Sequence, residues 1–276
     1  MYQAYWQLER RPFEAGVDTS VYYPAESHQA SLLKLRYTIE NARGAALLAG
    51  GPGLGKTLLV KLLWQQLSEQ FAPLVHLVFP QMPTADLLAY LAAELPGRTT
   101  DGAAEASPKS IESSVRAIER CLLENAAQGR HAVIAIDEAH LLEGGRTLEA
   151  LRLLLNFESD GRPAATLLFV GQPTLLPVLA RMPQLEAWLA VKCLLRPLTL
   201  EETMGYVQHR LSAAGAQRTI FEPAAVELLQ EVAEGVPRRI NRLCDLALLL
   251  GFAEEHATIG PAQIEAVSQE LAVAAG

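Results

Sequence analysis

Residues 50–57, GGPGLGKT, combine four glycines with one lysine and one threonine at a fixed spacing. They match the pattern G-x-x-x-x-G-K-[ST], whose glycines let backbone N–H groups curve around an anion. In that pattern Lys56 reaches the β- and γ-phosphates of a nucleotide, and the Thr57 hydroxyl ligates Mg²⁺. The pattern predicts a phosphate loop that consists of Gly50, Gly51, Pro52, Gly53, Leu54, Gly55, Lys56, Thr57 and Leu58.

Two adjacent carboxylates follow an apolar run in VIAIDEAH, residues 133–140. In an open α/β sheet, ligands bind at the carboxyl ends of the strands, so a strand that ends there presents both side chains to a ligand. Asp137 is then placed to hold Mg²⁺ through water, and Glu138 to orient and deprotonate an attacking water molecule. Carboxylates this close repel each other unless a cation is near, which is a further reason to expect the metal.

Two further polar residues occur at the ends of predicted elements. Gln172 follows the apolar run LLFVG, where its side chain could sense a γ-phosphate, although Gly-Gln-Pro is also an ordinary turn. Arg238 falls in the first turn of a predicted helix, where a cation is unfavourable unless an anion is near. A γ-phosphate would supply that anion, and a solvated pair formed by Arg238 and Arg239 is the alternative interpretation.

The elements that must position these residues are five strand-like runs that alternate with helical stretches. Near-continuous apolar strands of this kind predict a parallel sheet covered on both faces by helices, an α/β fold. The predicted strands are 44–50, 72–80, 131–140, 165–173 and 191–198, and a first long helix is predicted over 27–43. The phosphate loop follows the first strand and precedes a helix, which is the context that its pattern requires.

Strand signals end near Pro197, and four helical patterns follow. We therefore predict an α/β domain over 1–197, in which 1–26 is an N-terminal linker, and a small all-α lid subdomain over 198–276. The polar segment 97–110 predicts an exposed loop. Five aromatic residues near the N-terminus fit either core packing or a ligand wall: they are Tyr5, Trp6, Phe13, Tyr22 and Tyr23.

Composition narrows the function classes. The chain has 276 residues, half of them hydrophobic, and its 23 Lys and Arg against 31 Asp and Glu give a net charge of −8. That charge disfavours a broad nucleic-acid or anionic-membrane footprint, although Arg238, Arg239 and Arg242 could form a local basic patch. Three widely spaced cysteines suit reduced thiols, and we find neither a signal peptide nor an apolar stretch of bilayer length. We expect a cytoplasmic protein with no direct membrane span.

These motifs, in this order and before a helical subdomain, resemble an AAA+ ATPase, a P-loop NTPase. More narrowly, PFEAGVDTSVYYPAESHQASLLKLRYTIE, DEAHLL, LRLLLNFESDG, FVGQP and GVPRRINRLCDLALL are similar to the ATPase domain of the bacterial general secretion pathway protein A, or ExeA, family. The resemblance extends from about Phe13 to Val267. It implies that 51–57 are Walker A, Asp137 and Glu138 are Walker B, Gln172 lies in sensor 1 and Arg238 is sensor 2. The letters DEAH also mark a class of helicase, but that class needs a second motor domain.

The resemblance implies ATP and Mg²⁺ as cofactors and hydrolysis of ATP that switches a partner protein, with secretion or envelope machinery as one candidate. It also implies assembly into a homo-oligomer on ATP binding. A DNA-binding regulatory ATPase of the transposition-helper type is the alternative function. Two features depart from the family: the sequence stops before a membrane segment and a peptidoglycan-binding domain, and Trp188 stands where relatives usually carry an arginine. Arg162 or Arg181 could replace that arginine in a neighbouring subunit's site, or hydrolysis could be slow.

Overall fold

The computed structural model describes residues 1–14, 16–96, 110–142 and 144–273. The predicted loop at 97–110 therefore lies outside the described residues, apart from Ser110. The chain forms two compact units. We call them the sheet unit, which is Ser27–Gly51 with Leu59–Leu195, and the helical unit, which is Met1–Glu26 with Pro52–Leu58 and Arg196–Gly276.

The sheet unit contains the predicted five-stranded parallel sheet, which is confirmed. Its strand order is β2-β3-β6-β1-β7, and every neighbouring pair is parallel. The strands are β1 Ala45–Ala49, β2 Leu74–Leu77, β3 Ala132–Ile136, β6 Ala165–Gly171 and β7 Leu189–Leu194. Each predicted strand therefore exists, but most are shorter than the apolar run that predicted them.

Helices cover the sheet on both faces, as the apolar strands predict. All residues of β1 and β3 are buried, and their alternate side chains point to opposite faces. Leu47 joins one core with β3 and β6, whereas the equally buried Leu48 faces the other side. The helices in this region are α2 Glu26–Glu40, α3 Lys56–Gln66, α4 Thr84–Glu94, α5 Ile111–Ala127, α6 Gly144–Leu153, α7 Leu175–Ala180 and α8 Pro183–Trp188.

Two parts of the sheet unit were not predicted. A small antiparallel hairpin, formed by β4 Glu158–Ser159 and β5 Arg162–Pro163, precedes β6. Asp160 and Gly161 make its turn with positive φ angles of 53° and 73°. The first long helix also ends at Glu40 rather than at residue 43, and the chain reaches β1 through left-handed conformations at Ala42 and Gly44.

The helical unit contains the four predicted C-terminal helices, which are confirmed, and a short helix α1, Tyr2–Tyr5. The four are α9 Leu200–Ala213, α10 Pro223–Ala233, α11 Pro237–Ala253 and α12 Pro261–Val273. Thr199 caps α9 reciprocally with Glu202. Proline occupies the first turn of α10 and α11, where a missing N–H costs nothing.

The aromatic residues near the N-terminus pack into this unit's core. Trp6 is fully buried and donates its indole N–H to the Leu248 carbonyl over 2.9 Å. Tyr2 donates its hydroxyl hydrogen to Asp245, and Phe13 meets Phe221 edge to face. Residues 1–14 thus anchor to α11 and its neighbours, while the predicted domain boundary near 197 stays a prediction. Among the described residues, no helix has the length and apolar character that a bilayer crossing requires.

Candidate functional site

Three neighbouring strands end at the same edge of the sheet, which we call the carboxyl edge. β6 lies between β1 and β3, and the Gly50 N–H donates to the Gly171 carbonyl over 3.1 Å. Gly50 and Gly51 therefore follow β1 at the edge where Asp137 follows β3 and Gln172 follows β6. Parallel pairing thus brings together the start of the phosphate loop, the predicted metal ligand and the predicted phosphate sensor.

The phosphate loop has the conformation that its glycines were predicted to provide. Gly53 and Gly55 have φ angles of +80° and +90°, which side chains other than glycine's rarely adopt. Helix α3 begins at Lys56, so the N-terminal end of that helix, the positive end of its dipole, follows the loop directly. Lys56 is only 6% exposed, and a lysine that is buried so deeply is almost always paired. This arrangement of donors and positive charge fits a phosphate chain.

Within the helical unit, the loop packs against the start of α11. A Cβ atom at Gly53 would lie 2.8 Å from the Arg238 Cβ and 3.1 Å from the Val236 Cγ1, so only glycine fits there. The Arg238 backbone N–H donates to the Gly53 carbonyl over 3.3 Å. The backbone of Arg238, the predicted second sensor, therefore lies directly beside the loop.

Asp137 is a buried residue whose carboxylate and backbone both bond to neighbours in the sheet unit. It is 3% exposed, and one carboxylate oxygen accepts from the Glu138 N–H over 2.9 Å. The other oxygen lies 3.3 Å from Nε2 of His76, and the Asp137 N–H donates to the Leu77 carbonyl over 2.8 Å. A buried carboxylate is costly unless it is paired or coordinates a metal. Sequence reasoning missed His76, whose place on β2 gives it no distinguishing pattern.

Glu138 adopts a left-handed conformation, with φ +49° and ψ +35°, directly after Asp137. Because of this turn, the two neighbouring side chains point in different directions. The Glu138 side chain is 44% exposed, and the Asp137 side chain is only 4% exposed. The two predicted roles therefore correspond to two environments, a buried group suited to a metal and an exposed group that water can reach.

His140 lies next to both Glu138 and Gln172. Its Nδ1 is 3.4 Å from Oε2 of Glu138, and the Gln172 backbone N–H points to the same Nδ1 over 3.4 Å. The ring is mostly buried, with 12% of its side chain exposed. Sequence reasoning used the DEAH letters for the family resemblance and to consider helicases, and it assigned His140 no role.

The residues present fit a magnesium ion held together with a nucleotide. Mg²⁺ is commonly bound by one or two protein oxygens and by substrate phosphates, and the chain offers oxygens of that kind in the Asp137 carboxylate of the sheet unit and in the Thr57 hydroxyl of the helical unit. Across the described ranges, no group of three or more His, Cys, Asp or Glu side chains could form a metal cage by itself.

The arginines and the tryptophan considered for a neighbouring site occupy separate places in the sheet unit. Trp188 ends α8 and packs on Gly44, where a Cβ atom would lie 2.7 Å from the indole Cε3. Arg162 belongs to the hairpin that precedes β6, and Arg181 follows the last residue of α7. In the helical unit, Arg239 of the suggested basic patch is paired with Glu234.

An open cavity of about 400 Å³ lies at the opposite edge of the sheet, which we call the amino edge. Its walls include Phe71, Arg130, His131, Asp160 and Arg162. The His131 ring contacts the Thr166 hydroxyl over 2.8 Å, and burial lowers the pKa of His131 to about 4. The cavity is therefore remote from every predicted site residue of the sheet unit.

Comparisons with known proteins agree with this geometry. A family model described as AAA domain matches residues 39–179. General secretion pathway protein A of Aeromonas hydrophila is 34% identical over 258 residues, which cover 92% of this chain and 45% of that protein. The chain thus spans less than half the length of that curated relative.

Solved structures share the fold at low sequence identity. Cdc6p from Pyrobaculum aerophilum matches 94% of this chain and 70% of its own, with a TM-score of 0.73 and 16% identity. ORC1 of Aeropyrum pernix, solved in complex with DNA, matches 95% of this chain and 69% of its own, with a TM-score of 0.67 and 16% identity. The RuvB Holliday junction branch migration motor of Thermotoga maritima matches 88% of this chain and 69% of its own, with a TM-score of 0.58 and 20% identity. At these identities the matches show the fold alone.

Proposed function

The chain belongs to the AAA domain family, and from that premise we propose that it binds ATP with Mg²⁺ and hydrolyses ATP to ADP and phosphate. The observation that carries the proposal is the phosphate loop. Its two glycines of positive φ lead into α3, and Lys56 is buried at the start of that helix. A lysine in that position offsets the charge of a triphosphate.

Each proposed catalytic group has a different task. Lys56 balances negative charge on the β- and γ-phosphates, and Thr57 and Asp137 ligate the metal. Mg²⁺, when bound, neutralises charge on the phosphate oxygens. Glu138 accepts a proton from the attacking water, since its exposed carboxylate can reach solvent. Gln172 and Arg238 contact the γ-phosphate, and catalysis rests on positioning and charge stabilisation.

We further propose that ATP binding switches the protein between two states that a partner protein distinguishes. Arg238 lies beside Gly53 within the helical unit, so loss of the γ-phosphate would remove an anion next to α11. The similarity to a protein named for general secretion supports a partner in secretion or envelope machinery. Assembly into a homo-oligomer on ATP binding and a cytoplasmic location belong to the same proposal.

Calorimetric titration with ATP and Mg²⁺ tests the proposal at the phosphate loop. We expect the wild type to bind and Lys56→Ala to show no measurable binding, because the buried charge beside the phosphates is gone. Lys61→Ala is the matched control, since Lys61 is an exposed lysine on the same helix and should bind as the wild type does. Equal affinity in Lys56→Ala and Lys61→Ala would refute the phosphate-loop assignment.

A second experiment addresses the partner. Glu138→Gln should retain ATP because an amide cannot accept the proton from water, so the variant would stay in its ATP-bound state. A pull-down with this variant in ATP, compared with the same pull-down in ADP, should recover a protein only in ATP. Identical recovery in both nucleotides would contradict the switch.

A further inference from the structure

The Nδ1 atom of His140 is shared by two groups that cannot both bond to it. The Gln172 N–H is a donor and needs an unprotonated Nδ1, whereas the Glu138 carboxylate is an acceptor and needs a hydrogen on Nδ1. Both groups lie 3.4 Å from that nitrogen. In the neutral ring only one nitrogen carries a hydrogen, so each tautomer serves one of the two partners.

The close approach of these groups is built into the end of β6. Gly171 is the last residue of that strand, and a Cβ atom there would lie 3.3 Å from the His140 backbone nitrogen and 3.4 Å from Nδ1. Gly171 has no positive φ, so a side chain at this position would be excluded by space and not by backbone strain. Any residue larger than glycine would therefore push His140 away from the strand end.

We propose that His140 is a positioning residue that couples the end of β6 to Glu138, holding the carboxylate in one tautomer and releasing it in the other. When the Gln172 N–H donates to Nδ1, the ring hydrogen resides on Nε2, and Glu138 is free to accept a proton from water. When the ring hydrogen resides on Nδ1, it binds Glu138 and the Gln172 N–H loses its acceptor. The proton moves between the two nitrogens by exchange with water.

This coupling rests on the proposed ATPase function, because it gives Gln172 a route to the catalytic base. A γ-phosphate that fixes the Gln172 side chain would also fix its backbone N–H against His140. Glu138 would then be released only when the phosphate to be attacked is present.

The first test needs no enzymatic activity. Hydrogen exchange of the Gln172 amide is measured by NMR on the nucleotide-free, ¹⁵N-labelled protein. His140→Ala should exchange that amide at least about tenfold faster because its acceptor is gone, whereas His140→Gln offers a new acceptor and should restore part of the protection. The Gly50 amide, bonded to the Gly171 carbonyl, is the internal control and should not change. His131→Gln is the matched histidine control, since His131 precedes the same strand that Glu138 follows.

Gly171→Ala tests the same contact without removing a polar group. The added methyl should shift His140 by a few tenths of an ångström and raise the exchange rate of the Gln172 amide by a smaller factor than His140→Ala does. Unchanged exchange of that amide in both His140→Ala and Gly171→Ala would overturn the proposal.

The second test is a double-mutant cycle in ATP turnover. We expect His140→Ala to raise kcat at least about twofold with unchanged affinity for ATP, because no ring hydrogen then holds the Glu138 carboxylate. In a Glu138→Gln background, His140→Ala should leave kcat unchanged. The same effect in both backgrounds would show that His140 does not act through Glu138. A wild type without ATP turnover would instead refute the proposed function, and the amide exchange would still decide the role of His140.

Discussion

The two edges of one sheet differ in what they bury. The amino edge has an open cavity, about 400 Å³ in volume, but its charged side chains, such as Arg130 and Arg162, are exposed, and the pKa of its half-buried His131 is lowered to about 4. The carboxyl edge has a buried carboxylate, Asp137, at the end of a central strand. Because charge is buried only at a cost, the carboxyl edge is the stronger candidate for a functional site, although the amino edge has a cavity.

The largest expected difference between the edges is in turnover. Glu138→Gln should lower kcat at least about a hundredfold while ATP affinity is retained, since an amide cannot act as a base. Glu40→Gln, which removes a carboxylate from the wall of the amino-edge cavity, should leave kcat unchanged. Phosphate release under saturating ATP measures both variants, and similar losses in the two would remove the distinction between the edges.

Trp188 lies just before β7 at the amino edge, and its packing on Gly44 predicts a structural role. Trp188→Arg should lower the free energy of unfolding by about 2–4 kcal/mol, because the large apolar contact is lost. Trp188→Phe should lower the free energy of unfolding by less, because the phenyl ring keeps part of that contact. Urea unfolding measures this, and ATP turnover is followed over a series of protein concentrations. A gain in turnover that grows with concentration would instead show that position 188 reaches a neighbouring subunit.

Two glycines with similar φ angles allow the cost of backbone strain to be measured apart from the cost of a steric clash. Gly129→Ala, at the amino edge, should cost about 1–2 kcal/mol of stability, because φ is +71° but no atom lies within 4 Å of the new methyl. Gly53→Ala has φ +80° and meets the Arg238 Cβ at 2.8 Å, so it should cost about 1 kcal/mol more and also weaken ATP binding. Urea unfolding and ATP calorimetry compare the two variants. Equal losses of stability would mean that α11 moves aside for the new methyl group at little cost.

The last expected effect is a pH dependence at the amino edge. The pKa of His131 is about 4 in the folded protein against 6.5 for an ordinary histidine, so between these values only the unfolded chain gains a proton. Stability should therefore fall as pH drops from about 6.5 to 4, by at most about 1.4 kcal/mol per pH unit. His131→Gln should flatten that part of the profile. An unchanged slope in the variant would assign the dependence to other groups.

The sequence sufficed for features that depend on neighbours along the chain. The phosphate loop, the five strands and the four C-terminal helices follow from spacing, apolar runs and caps such as Thr199. The roles proposed for Lys56, Thr57, Asp137, Glu138, Gln172 and Arg238 remain predictions, because they concern a bound nucleotide.

Features that depend on residues far apart in sequence could not be predicted. His76 contacts Asp137 across 61 positions, and the Gln172 N–H meets His140 across 32. Trp6 bonds to Leu248 from the other end of the chain, which no pattern near position 6 indicates. Strand ends were overestimated because an apolar run continues past the last ladder hydrogen bond, as it does after Leu77 into the exposed Val78 and Phe79.

The bond between position 238 and Gly53 involves only main-chain atoms. Every amino acid except proline supplies that donor, so the attachment of the loop to α11 does not depend on which side chain stands at 238. During evolutionary drift, a descendant could exchange its arginine and lose the proposed contact with a phosphate while keeping the loop in place. The two roles of this position therefore vary independently. Only proline would remove the hydrogen bond to Gly53, whereas any residue without a guanidinium group would remove the proposed phosphate contact.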